Sequence, residues 1–132
     1  MIPLADAPVE HRHWHPVALA TAVGQAPLAV QLLGQPLVLW RDAAGLVQAW
    51  ADRCPHRGAR LSLGCVRRDQ AGGQLECPYH GWRFASGGQV KVVPALPDFV
   101  PPASHRATVH ACTERYGLVW VRLADAGEPA PP

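Results

Sequence analysis

Apolar residues along this chain fall in short runs separated by turn residues, and long helix-forming runs are absent. Trp14 to Leu19 predicts an opening strand. Leu28 to Leu33 and Pro36 to Arg41 flank Gly34-Gln35, which reads as a two-residue hairpin turn. Asp42 to Gly45 then turns the chain into Leu46 to Trp50. Further on, Gly64-Cys65-Val66, Leu75-Glu76-Cys77, Trp82-Arg83-Phe84 and Gln89 to Val93 read as strands, with a hairpin tip at Asp69 to Gly73 and a turn at Ser86-Gly87-Gly88. Val100-Pro101-Pro102 argues against a helix, because proline lacks the amide donor and disfavours helical geometry just before itself. Closing strands are expected near Ala107 to Cys112 and Leu118 to Leu123. Turn signals every 8–12 residues or so predict an all-β fold, a small antiparallel sandwich or barrel.

Composition adds boundaries to this picture. At 132 residues the chain has the size of one domain, able to bury roughly two-thirds of its unfolded surface. Residues 1–13 read as an N-terminal arm, 14–123 as the domain, and 124–132 as a Pro/Ala-rich tail. The formal charge is only +2 and the basic residues are scattered, which argues against nucleic acid or an anionic membrane as partner. No segment reaches the roughly 18 apolar residues of a membrane span. The start lacks the charged and apolar regions of a secretory signal, so a cytoplasmic protein is expected. Under that expectation the four cysteines are read as metal ligands before disulfides.

Two loops carry the candidate chemistry. Cys54-Pro55-His56-Arg57-Gly58 is matched, after a gap of 20 residues between His56 and Cys77, by Cys77-Pro78-Tyr79-His80-Gly81-Trp82. Proline after each cysteine stiffens the loop and glycine after each histidine lets it turn sharply. Cys54, His56, Cys77 and His80 are therefore the candidate ligands. A structural zinc site of two Cys and two His is one reading, although zinc ligands usually pair like with like and each loop here supplies one of each.

These loops resemble the Rieske iron-sulfur proteins, whose signature is C-x-H followed by C-x2-H. CPHRGARLSLG from Cys54 and CPYHGWRF from Cys77 are most similar to the N-terminal domain of Rieske non-haem iron oxygenases of the ring-hydroxylating type. WHPVAL, GQPLVLWRDAAG and ERYGLVWVRL extend the likeness over roughly residues 14 to 123. The resemblance implies a Rieske fold with a cluster-binding subdomain of two loops at about 52–86, holding one [2Fe-2S] cluster. Cys54 and Cys77 would bind one iron, His56 and His80 the other. Neutral imidazoles in place of thiolates raise the potential, so the histidine-bound iron would take the electron.

The implied function is one-electron transfer, as an oxidoreductase component without a complete oxygen-activating site of its own. Its partners would be a reductase or ferredoxin and an oxygenase catalytic domain; an oligomer is compatible with the family. The alternative within the family is a stand-alone Rieske ferredoxin. Respiratory Rieske proteins carry a disulfide and two hydroxyl donors where this chain has Ala59, Tyr79, Trp82 and Phe84. A potential near the low end of the roughly −150 to +300 mV Rieske range is therefore expected.

Other polar residues have blander readings. Cys65 and Cys112, in apolar strands, read as small hydrophobes. Arg57 and Arg60 could favour an acidic redox partner, and Trp82 and Tyr79 could shield the cluster. His11, His13 and His15 alternate as surface histidines of the arm. Asp98, His105 and His110 do not match the D-x2-H-x4-H pattern of a mononuclear-iron triad, and two histidines five apart on a strand face opposite ways.

Overall fold

A computed structural model of the protein describes residues 13–55, 59–67, 73–78, 81–92 and 106–123. Among them the chain forms ten strands. These are β1 His15–Leu19, β2 Leu28–Leu32, β3 Gln35–Arg41, β4 Val47–Ala51, β5 Cys65–Arg67, β6 Gln74–Glu76, β7 Arg83–Ala85, β8 Val90–Val92, β9 Val109–Arg115 and β10 Leu118–Arg122. Helical structure among the described residues is limited to single 3-10 turns at Ala20–Ala22 and Leu61–Leu63. None is long and apolar enough to cross a membrane.

The strands make two antiparallel sheets, as the alternation of short apolar runs and turns requires. The larger is ordered β1-β10-β9-β4-β3-β2 and curls so that β1 comes back against β2; the smaller is β5-β6-β7-β8. β3 is the key to how they stack. Leu37, Val38, Leu39 and Trp40 are all fully buried, although successive side chains on a strand point to opposite faces. Leu37 and Leu39 join Ala49, Val119 and Val121 in an aliphatic core inside the curled sheet. Val38 and Trp40 join Trp50, Leu61, Leu75, Trp82 and Phe84 in a second core beneath the small sheet. β3 and β4 are thus a wall shared by both cores.

The expected strands are present with shifted ends, and three of the shifts have a visible cause. The first hairpin turns at Leu33-Gly34, because Leu32 pairs with Gln35. Both turn residues have positive φ (51° and 79°), as a two-residue type I′ connection demands, so Gln35 belongs to β3. β4 begins at Val47, since the Asp42 carboxylate accepts hydrogen bonds from the amides of Ala44 and Leu46 and keeps Leu46 in the turn. β9 runs on to Arg115, where Tyr116-Gly117 (φ 58° and 73°) forms a second turn of the same kind. A tyrosine in that conformation is an unusual turn residue, and the hairpin is not legible from composition. The expected arm (all but His13), most of the Asp69 to Gly73 tip, Val100-Pro101-Pro102 and the tail lie outside the described residues.

Candidate metal centre

Each cysteine loop grows from the end of a strand that the cores hold in place. β4 ends at Ala51, whose amide donates to Thr108, and the next amide, of Asp52, donates to Pro36 at 3.0 Å. The Asp52 carboxylate is fully buried. It accepts from the Ser62 amide at 2.7 Å and the Ser62 hydroxyl at 2.6 Å, with the Arg60 guanidinium at 3.3 Å. One buried carboxylate therefore ties the entry of the first loop to the 3-10 turn at its exit. The second loop spans β6 and β7, whose last ladder pair is Glu76 with Arg83.

The two loops close in the same way. The Cys54 amide donates to the Ala59 carbonyl at 2.7 Å, and the Cys77 amide donates to the Trp82 carbonyl at 2.7 Å. In both, the cysteine is the first and its backbone partner the sixth residue. Gly81, at φ 67°, lets the second loop turn back toward Trp82. Both cysteines are 1% exposed and share one core with Trp40, Trp50, Trp82 and Phe84.

The small sheet brings the loops side by side. β5, leaving the first loop, pairs with β6, entering the second, with Cys65 opposite Glu76. Gly64 makes this approach feasible: a Cβ there would stand 1.8 Å from the Glu76 carbonyl oxygen. Any side chain would push the loops apart. On the outer face of the sheet Glu76 accepts from Arg83 at 2.9 Å and Arg67 at 3.2 Å, with the Cys65 sulfur 3.5 Å away. Burial pushes the Glu76 carboxyl up, but the hydrogen bonds from Arg67, Arg83 and Cys65 outweigh it, and the group is held below its ordinary value.

Of the four expected ligands, the structure thus brings Cys54 and Cys77 into one buried core; His56 and His80 lie outside the described residues, as do Arg57, Tyr79 and His105. Trp82 is buried against the cysteines. Cys65 corrects the expectation of a small hydrophobe: it stands partly buried with its sulfur against the Glu76 carboxylate, and burial, then the Glu76 charge, raises its thiol pKa. Cys112 does pack on the aliphatic core, and burial pushes its thiol up to about 11. His110 is buried, and His13 is exposed. Asp52 and Gly64 are the positioning residues that sequence reasoning missed. Asp52 stands two residues before a candidate ligand, but nothing in the sequence reveals its burial.

The donor chemistry fits an iron-sulfur cluster: two thiols secluded from water, at the heads of two loops closed by the same backbone bond, with a histidine in each loop. Residues 13–112 match the Rieske [2Fe-2S] domain. The chain belongs to this family. Its cofactor is a Rieske-type [2Fe-2S] cluster, which decides against the zinc reading that ligand spacing left open. Among curated relatives it is similar to methylxanthine N3-demethylase NdmB of Pseudomonas putida, 43% identical over 130 residues, covering 92% of this chain and 36% of the relative. It is also similar to oxidoreductase NdmD of the same organism, 40% identical over 119 residues, covering 88% of this chain and 20% of that one. The solved structure of NdmB from P. putida CBB5 superposes with a TM-score of 0.82 at 38% identity, covering 88% of this chain and 36% of the other. This Rieske domain therefore spans about a third or less of the length of these relatives, and it corresponds to the N-terminal Rieske domain of the oxygenases.

Proposed function

We propose that this Rieske domain is the electron-transfer domain of a non-haem iron oxygenase, taking one electron at a time from a redox partner and passing it to a mononuclear-iron catalytic domain. The observation that carries this reading is the pair of buried cysteines at the heads of two identically closed loops, in a chain similar along its length to a demethylase. When bound, the cluster supplies reversible one-electron chemistry. Cys54 and Cys77 would hold one iron as thiolates, and His56 and His80 the other as neutral imidazoles. The part of the described residues is to hold the two cysteines still and dry. The two 2.7 Å amide bonds fix the cysteine backbones, Asp52 fixes the first loop's exit, and Trp82 and Phe84 exclude water on the protein side.

A second reading has its own support. The similarity to NdmD shows that such a domain also occurs within a protein named an oxidoreductase. This chain would then stand on the electron-supplying side, as a carrier between a reductase and an oxygenase. Titration of the purified protein with dithionite under anaerobic conditions tests what both readings share: one electron per chain, with reversible bleaching of the visible spectrum. A colourless, redox-silent protein would overturn both. Between them, the coding sequence decides: a D-x2-H-x4-H motif in the same or an adjoining frame supports the oxygenase, and a flavin reductase gene beside an isolated Rieske gene supports the carrier.

A further inference from the structure

The outer face of the large sheet carries an aromatic patch that neither core uses. Val119, Val121 and Leu123 belong to the aliphatic core, so Leu118, Trp120 and Arg122 of β10 face outward. Trp14, Thr113, Arg115, Tyr116 and Trp120 line a cleft of about 410 Å³ on this face. Its rings are open to solvent: Tyr116 is 83% exposed and Trp14 40%. Trp120 is held in place, because its indole N–H donates to the Arg115 carbonyl at 3.0 Å. A guanidinium stands over a ring at either end of β10, Arg122 at 5.1 Å from the centre of Trp14 and Arg115 at 5.9 Å from that of Tyr116. Neither arginine has a carboxylate partner among the described residues, and the buried Nε of Arg122 has no acceptor there. Round the curled sheet β10 lies three strands from β3, so the cleft is on the side away from the small sheet and its cysteine loops.

We infer that residues 124–132, into which β10 leads directly, seat in this cleft. Three prolines among these nine residues favour the polyproline II conformation, which docks on aromatic-lined grooves at little entropic cost. The only charged side chains of the segment are Asp125 and Glu128, opposite in sign to the two arginines of the cleft, and Asp125 follows Arg122 by three residues. The length also matches. Gly127 permits the reversal that the chain needs after β10. Glu128 to Pro132 then covers about 15 Å at ~3.1 Å per residue, against about 13 Å from Arg122 back to Leu118 at ~3.3 Å per residue. The N-terminal arm is a poorer match, because residues 1–12 have only two prolines and add the cation of Arg12. Seated there, residues 124–132 would cover the exposed rings and leave the cysteine loops clear for redox partners. The inference does not depend on the electron-transfer reading.

The test is NMR on the full chain, with the Trp14 and Trp120 indole signals assigned through Trp14→Phe and Trp120→Phe. In the wild type, nuclear Overhauser contacts are expected between the ring protons of Pro129, Pro131 and Pro132 and the rings of Trp14 and Trp120. Replacing the three prolines by serine, together with Asp125→Asn and Glu128→Gln, should abolish these contacts and shift both indole signals. A wild-type spectrum without the contacts, or indole signals that the replacement leaves in place, would overturn the inference. So would signals that move only when residues 1–12 are replaced, which would make the arm the occupant. Signals that move only with protein concentration would overturn it as well, and would make the occupant a second copy of the chain.

Discussion

The two cores on either side of β3 and β4 share a wall but not a chemistry. The core inside the curled sheet is aliphatic, built from Leu37, Leu39, Ala49, Val119 and Val121. The core under the small sheet holds three tryptophans, Phe84 and the two loop cysteines. Trp40 and Trp50 meet edge to face at 5.1 Å, and Trp50 meets Phe84 in the same manner at 6.2 Å. Flat, rigid rings packed at right angles fill space with few rotamers, so the loops rest on a base that cannot easily rearrange. The aliphatic core supplies burial; the aromatic core also supplies position.

The comparison predicts different consequences for equal damage. Trp50→Ala should cost about 3–5 kcal/mol and should also lower the cluster content of the folded protein, whereas Leu39→Ala should cost about 2–5 kcal/mol with an unchanged cluster spectrum per folded chain. Denaturant unfolding alongside iron and visible absorbance measures both; equal cluster loss in the two variants would erase the distinction. Gly64→Ala should cost about 3 kcal/mol, because the new Cβ would meet the Glu76 carbonyl and force the paired loops apart. Asp52→Asn should cost about 2 kcal/mol by weakening charged hydrogen bonds to Ser62, seen as a lower denaturation midpoint.

Smaller effects probe the cluster side and the aliphatic side in turn. Phe84→Tyr, restoring a hydroxyl that respiratory Rieske proteins carry, should raise the midpoint potential by on the order of 50 mV, equivalent to a roughly tenfold change in the redox equilibrium constant. A drop would mean the hydroxyl does not reach the cluster. On the other side of the wall, burial holds His110 below its ordinary pKa of 6.5. As pH falls below that value the unfolded chain takes up a proton that the folded chain resists. Stability should therefore decline with acidification from neutral pH, and less steeply in His110→Leu. Parallel stability-pH curves for the two proteins would exclude this.

The positions of most strands and the two cysteine loops were largely legible in the sequence because both rest on local signals: apolar runs cut by Gly, Pro and Asp, and cysteines and histidines at fixed short spacings. What escaped reading depends on contacts between distant segments. Leu33 and Tyr116 adopt positive φ because their strands' registers leave two residues for the turn, not because of their own preferences. Gly64 looks like any loop glycine until Glu76 is placed against it. Asp52 looks like a surface acid until Ser62 and Arg60 close over it. Cys65 reads as apolar from its neighbours in sequence, but the ladder sets it beside Glu76.

The claim on which the rest depends is that two cysteines and two histidines divide the cluster between them. Electron-nuclear double resonance on the reduced protein, prepared with 15N-labelled histidine, addresses it directly. The account predicts coupling from two histidine nitrogens to the reduced cluster, falling to one in His80→Cys together with a lower midpoint potential. A reduced cluster with no histidine nitrogen coupling would contradict it, and would mean that thiolates alone hold both irons.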